Sequence, residues 1–315
     1  MSLHRGQKIH TTCFATHCST SCPQAREKRR AKGDNPAIIA ADTADRHPSS
    51  LKPYEESTNA MRTNIAKAKL AEGKVVFGAI ISHHAPDLVE LFGAIGYDFV
   101  MIDCEHGPMS LNEVEDMVRA AEVFGITPIT RIPNHEDSTI LRFLDRGVQG
   151  IIVPHINTRA DAEAVALAAR YYPEGHRGVG GGRAHDYGVG VSRQESTKWI
   201  NSQLLVIPMV EETKAVDNLD AILTVPGVDV LHVASGDLGQ SMGNPGPAAV
   251  RQLMSQVIPR IRAAGKLVGV GGNAPADAAG VAEFIKLGAN FVTISAQGLL
   301  RLGAEDFRRR VQAAL

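Results

Sequence analysis

From residue 74 onward, eight short runs rich in β-branched residues alternate with amphipathic segments, and no glycine-rich dinucleotide fingerprint follows the first run. Together these features predict an α/β chain folded as a (β/α)8 TIM barrel. The runs are VVFGAII, DFVMID, ITPITRI, GIIVPHI, LLVIPMV, DVLHVAS, LVGVGG and FVTIS. They are largely continuous rather than alternating in apolar character, the pattern of strands covered on both faces. An open doubly wound sheet is the competing arrangement, and the missing fingerprint counts against it.

The elements follow in order. Residues 1–60 are rich in Ser, Thr, His and Cys and have no helical or strand period, which predicts a disordered or upstream extension. The basic run REKRRAK is a weak transit-peptide signal there, and CFATHCSTSC a weak zinc signal whose spacing fits no common finger. Met61 then opens MRTNIAKAKLAEGKVVFGAI, a helix leading into the first strand, so the barrel domain is expected over 61–315. After the second strand, SLNEVEDMVRAAEVFG carries Ser110 and Glu113 at capping-box spacing. Its Leu111, Val114, Val118 and Ala121 form one apolar stripe, and Gly125 ends it. NTRADAEAVALAARYY repeats the scheme with Thr158 and Asp161.

Composition narrows the function. The chain has 315 residues, 44% of them hydrophobic, and a formal net charge of -1. Near-neutrality gives nucleic acid and anionic membranes no footing, and no apolar run reaches the length of a membrane span. Of the four cysteines only Cys104 lies in the barrel region, so no disulfide can staple it and a cytoplasmic location is expected. Cys104 itself reads as a bystander in the motif around it.

That motif, IDCEHGPMS, ends a buried strand with three ionisable residues. Unpaired charge is costly inside a protein, so their presence calls for a site. In a barrel of this type, chemistry gathers at the C-terminal ends of the strands. Asp103 and His106 follow the second strand, Arg131 ends the third, His155 the fourth, Glu211 and Glu212 the fifth, and Asp237 follows the sixth. Glu211 and Asp237 are hard oxygen donors suited to Mg2+ or Mn2+ with positions left for water and substrate. Such an ion polarises a carbonyl. His106 beside Asp103 reads as a base oriented by a carboxylate, and Arg131 as a fixed positive fork for developing charge. These parts suit enolate chemistry on an oxo acid. No strand-end lysine presents itself as a Schiff-base former.

At this point the residues resemble the HpcH/HpaI-type class II pyruvate aldolases, metal-dependent barrels that act on compounds such as 4-hydroxy-2-oxoheptanedioate or 2-dehydro-3-deoxyglucarate. The resemblance covers about 61–315 and rests on GYDFVMIDCEHGP, ITRIPNHED, GIIVPHINTRADAEAVALAARYYPEGHRGVG, VEETKAVDNLDAIL, GVDVLHVASGDLGQSMG and KLGANFVTIS. It implies His106 as base with Asp103 its partner, Arg131 as stabiliser of the enolate, and Glu211 and Asp237 as ligands of Mg2+, Mn2+ or Co2+. Backbone N–H groups of Gly236 and Asp237 would bind the pyruvate carboxylate. The implied reaction is reversible cleavage of a 4-hydroxy-2-oxo acid to pyruvate and an aldehyde, with oxaloacetate decarboxylation as a side activity. The implied assembly is a homo-oligomer, a hexamer, with small-molecule partners only. Two departures stand out: Met209 replaces a glutamine common in the family, and ASGD replaces a proline-containing turn. Within GHRGVGGGRAHDYG, the glycines with Arg177, Arg183 and His185 suggest either a mobile segment near the substrate or a neighbouring subunit, or a plain surface loop. Two other functions remain open: a CoA-ester lyase of the same superfamily, and a metabolite-binding barrel that has lost catalysis.

Overall fold

The computed structural model describes residues 61–315. The expectations for 1–60, disorder and a Cys/His cluster included, lie outside the described residues. Eight parallel strands close into a barrel in sequence order, so the fold is the (β/α)8 barrel that the alternation predicts and not an open sheet. The strands are β1 (Val76–Ile81), β2 (Phe99–Asp103), β3 (Thr127–Arg131), β4 (Gly150–Val153), β5 (Leu205–Val210), β6 (Val230–Ala234), β7 (Leu267–Gly271) and β8 (Phe291–Ser295). The helices before β5 are α1 (Ile65–Ala71), α2 (Pro86–Ala94), α3 (Leu111–Val123), α4 (Asp137–Leu144), α5 (Arg159–Ala169) and α6 (Arg193–Gln203). Those after it are α7 (Thr213–Asp217), α8 (Leu219–Leu223), α9 (Ser235–Ser241), α10 (Pro247–Ala263), α11 (Ala278–Lys286) and α12 (Ala296–Ala314). None of them is long and apolar enough to cross a membrane.

Local chemistry starts the helices where the sequence says it should. Ser110 and Glu113 form the expected capping box of α3, and Thr158 and Asp161 that of α5. Each box satisfies backbone N–H groups that the first helical turn leaves without partners. The remaining asymmetry of the barrel comes from α1, which precedes β1 and closes the end where the strands begin. Its Ala66 and Leu70 pack with Val76, Phe99, Leu205, Val230 and Phe291, at or near the first residues of their strands. Asn64 caps α1 through Lys67 and donates to the carbonyls of Gln149 and Gln203, just ahead of β4 and β5.

The alternation of side chains along the strands decides what reaches the site. Phe99 and Met101 of β2, Ile129 of β3, Ile152 of β4, and Leu205, Ile207 and Met209 of β5 point into the barrel. Continuing the same phase by two residues brings Asp103, Arg131 and Glu211 to the inward face at the C-terminal rim. The outward-facing set, Val100 and Ile102 among them, packs under the helices in the larger core cluster.

Below the rim the interior is not wholly apolar. His232 on β6 is buried, its Nε2 3.1 Å from Thr293 Oγ1, and its ring stands edge-on to Phe291. Glycines make the room for it: a Cβ at Gly269 or Gly271 would come within 2.9 or 2.6 Å of its ring. Burial, reinforced by the positive charge of Arg131, pushes its pKa down to about 4. The unfolded chain therefore binds a proton that the folded one refuses between about pH 6.5 and pH 4. Stability should fall as pH drops through that window, by up to about 3 kcal/mol from this group. Urea unfolding at pH 7 and pH 4 checks it. The drop should shrink in His232→Leu, and an unchanged drop would assign the acid sensitivity to other groups.

Candidate active site

At the C-terminal rim, Asp103 and Arg131 are in register on neighbouring strands, and their side chains join across the barrel mouth. Arg131 donates from Nε to Asp103 Oδ1 at 2.9 Å and from Nη2 to Oδ2 at 2.8 Å, a two-pronged pair between buried groups. Ser82, beyond β1, donates its hydroxyl to Asp103 Oδ2 at 3.1 Å. Burial would raise the Asp103 carboxyl, but the hydrogen bonds and charge of Arg131 outweigh it and hold the pKa below the ordinary value. The guanidinium is raised in turn, burial notwithstanding, by Asp103, Glu105 and Asp237.

The expected contact between the Asp103 carboxylate and the His106 ring is not formed. From His106 the carboxylate receives only the backbone N–H, at 3.3 Å; with Arg131 on both oxygens and Ser82 on Oδ2, its acceptor positions are filled. The His106 side chain stands in the mouth, 63% exposed, and its nearest acid is Glu105, with Nε2 4.0 Å from Oε2. Glu105 lies two residues beyond Asp103, and the sequence reading gave it no role. Its place among the ionisable residues just past the end of β2 is the signal that could have found it. Its Oε2 lies 3.1 Å from Arg131 Nη1 but is buried without a well-formed hydrogen bond, and its Oε1 lies 3.8 Å from His155 Nε2.

On the opposite side, Glu211 is buried at the end of β5, and its Oε1 accepts the backbone N–H of His155 at 2.6 Å. His155 holds a left-handed backbone, φ 58°, which is uncommon for a residue with a Cβ and turns that N–H toward the acid. Its Nδ1 lies 3.0 Å from Glu212 Oε1, and this bond raises the imidazole pKa. Burial raises the Glu211 carboxyl, and Glu105 and Asp237 add repulsion against the relief from the His155 amide. Asp237 and Gly236 stand in the first turn of α9, which starts directly after β6. Gly236 has open space where a side chain would be. Asp103, Arg131, Glu105, His155, Glu211 and Asp237 thus share one electrostatic site, with His106 at its margin.

A family model described as HpcH/HpaI aldolase/citrate lyase matches residues 77–304, the whole barrel from β1 into α12. The chain belongs to this family. Among its relatives is a 4-hydroxy-2-oxovalerate aldolase of Novosphingobium aromaticivorans, 36% identical over 73% of this chain and 87% of the relative. A 2-keto-3-deoxy-L-rhamnonate aldolase of Shigella sonnei is 34% identical over 79% of this chain and 93% of the relative. An HpcH/HpaI-family crystal structure from Burkholderia cenocepacia superposes with a TM-score of 0.72 at 29% identity, covering 79% of this chain and all of the other.

The donor set suits the divalent ion expected of an HpcH/HpaI aldolase. Among the described residues no cluster of three or more His, Cys, Asp or Glu could hold an ion together. Two carboxylates, Glu211 and Asp237, are the candidates, which leaves positions open for water and substrate. The surplus of acid also fits: Glu211 is raised by burial and then by its acidic neighbours, and Glu105 keeps a buried oxygen without a hydrogen bond.

Two other expectations find different settings. Arg177 bonds Asp145 at 2.7 Å, Arg183 pairs with Glu122, and His185 is buried between Tyr171 and Ser196. Arg62, just before α1, also bonds the Arg183 carbonyl and Asp186, so this segment packs at the end where the strands begin, away from the rim. Cys104 is buried and faces the outer core cluster, and burial with the charge of Asp103 pushes its thiol up to about 12. It is no nucleophile in the folded protein.

The Asp103–Arg131 pair generates a stability test. Asp103→Ala leaves a buried guanidinium without its carboxylate and should destabilise the fold by about 3–5 kcal/mol. Asp103→Asn, which keeps acceptor and shape, should cost less. Denaturant unfolding of both variants checks this, and equal small losses would mean that solvent reaches Arg131 freely.

Proposed function

We propose that the protein is a divalent-metal-dependent aldolase that cleaves a 4-hydroxy-2-oxo acid reversibly to pyruvate and an aldehyde. The observation that carries this reading is the meeting, at one rim, of the pair Glu211 and Asp237 with Arg131 and His106 in a barrel whose relatives are named as aldolases of such oxo acids. Glu211 and Asp237 would hold Mg2+, Mn2+ or Co2+. When bound, that ion supplies a Lewis acid to the 2-oxo group. The backbone N–H groups of Gly236 and Asp237 would bind the substrate carboxylate, and the open space beside Gly236 supports this. The His106 ring would accept the proton of the 4-hydroxyl at its nitrogen remote from Glu105 as the C3–C4 bond breaks. The exposed ring supports that role, since it is open to an incoming substrate.

Arg131 would meet the negative charge that appears on the pyruvyl fragment. Asp103 grips its Nε and Nη2 edge, which fixes the guanidinium before substrate arrives. Asp103 is then the partner of Arg131 rather than of the His106 ring. The CoA-ester reading gains no support from these residues, and neither does a barrel without catalysis. The protein would act on small molecules as a homo-oligomer, a hexamer by family resemblance. Helix α12 supports self-association: only Ala296 of its 19 residues is buried, and Leu300, Phe307 and Val311 leave an apolar stripe exposed. A cytoplasmic location accords with the single thiol of the barrel.

The test is a panel of aldehydes incubated with pyruvate and Mg2+, Mn2+ or Co2+, followed by detection of the aldol. Chelation should abolish activity and added metal restore it. Full activity of a Glu211→Ala, Asp237→Ala double variant in chelator would refute the metal assignment. His106→Ala should lower kcat by roughly 10²- to 10⁴-fold with metal affinity little changed. Arg131→Ala should lower kcat more than it raises KM, because its contact strengthens as charge develops. Arg131→Lys should also be impaired, having lost the fork that Asp103 grips. Pyruvate methyl-proton exchange in D2O isolates the enolate step, and near-wild-type exchange in Arg131→Ala would make the arginine structural.

A further inference from the structure

We propose that Glu105 is the positioning carboxylate of this site, holding the His106 ring and the free edge of Arg131 in their working places. This rests on the aldolase reading above and deepens it. The geometry carries the assignment. Glu105 is the one acid among the described residues that approaches three cationic or ionisable groups of the mouth at once: Arg131 Nη1 at 3.1 Å, His155 Nε2 at 3.8 Å and His106 Nε2 at 4.0 Å. Its side chain is only 13% exposed, yet Oε2 has no well-formed hydrogen bond. Buried acceptors are almost always satisfied, so an unfilled one at a reaction centre points to a donor that arrives or turns in.

Two histidines could supply that donor, and their other contacts separate them. His155 is committed, its Nδ1 to Glu212 and its backbone N–H to Glu211. The His106 ring makes no hydrogen bond among the described residues and is within a side-chain rotation of Oε2. Asp103 cannot take the part, because Arg131, Ser82 and the His106 amide together fill its acceptor positions. Around His106 the charged groups are therefore Asp103 at the end of β2, Glu105 on its own loop, Arg131 on β3 and His155 after β4. Of these only Glu105 has an acceptor free for the ring. The same carboxylate sits against Nη1, the edge of Arg131 that Asp103 leaves free. One acid thus fixes the spacing between the proposed base and the proposed stabiliser of charge.

Replacement tests it. Glu105→Gln keeps the shape and leaves the Asp103–Arg131 pair intact, so the variant should fold with an unchanged unfolding midpoint. Its kcat for aldol cleavage should fall about 10- to 100-fold, the usual scale for a residue that orients another, with KM and Mn2+ affinity by calorimetry within about twofold of wild type. Glu105→Ala should show the same loss and regain part of its kcat in added formate, which supplies a carboxylate to the vacated space. An unchanged kcat in Glu105→Gln would overturn the proposal while leaving the aldolase reading in place. Loss of Mn2+ affinity would overturn it by making Glu105 a metal ligand, and the absence of formate rescue would overturn it by making the residue structural. No turnover by the wild-type protein across the aldehyde panel would instead remove the aldolase reading, and this proposal with it.

Discussion

The two-pronged bond between Asp103 and Arg131 is the constraint on which the site depends. Both residues lie on inward-facing positions of adjacent strands, in register, where a lone charge of either sign would be untenable. Together they make a charged layer possible at the top of a barrel whose interior below is mostly apolar. The pair also directs everything nearby. It helps fill the Asp103 oxygens against the His106 ring, turns one edge of the guanidinium toward Glu105, and sets a fixed positive charge near Asp237.

The acids opposite complete the balance. Burial raises the Glu211 carboxyl, the charges of Glu105 and Asp237 add to it, and Arg131 is the guanidinium beside Glu105 and Asp237. A divalent cation held at Glu211 and Asp237, as proposed, would relieve this repulsion. The left-handed backbone of His155 belongs to the same economy of strain: its amide is turned to Glu211, and the fold beneath holds it there.

Rigidity comes from below. Helix α1 and the stacked rings of Phe99 and Phe291, 4.2 Å apart, fill the end where the strands begin. The glycines of β7 admit His232 between them and the rim. A barrel packed this way leaves chemistry only at its open end, which is why the Arg183–His185 segment, anchored to Arg62 at the closed end, lies away from it.

Much of this was legible in the chain. Continuous β-branched runs and capping boxes are local signals, read from residues a few positions apart, so the eight strands and the starts of α3 and α5 could be placed in advance. The rim position of Asp103, Arg131, Glu211 and Asp237 also followed, because the end of a strand is a property of sequence once the barrel is granted. Which side chains pair could not be read. Asp103 lies three residues from His106 and 28 from Arg131, yet it bonds the arginine, because register between strands brings the distant residue opposite while the turn after β2 carries the His106 ring outward. Glu105 was on the page as one acid in a motif. Only closure of the barrel, which fixes distances between strands far apart in sequence, set it among Arg131, His106 and His155.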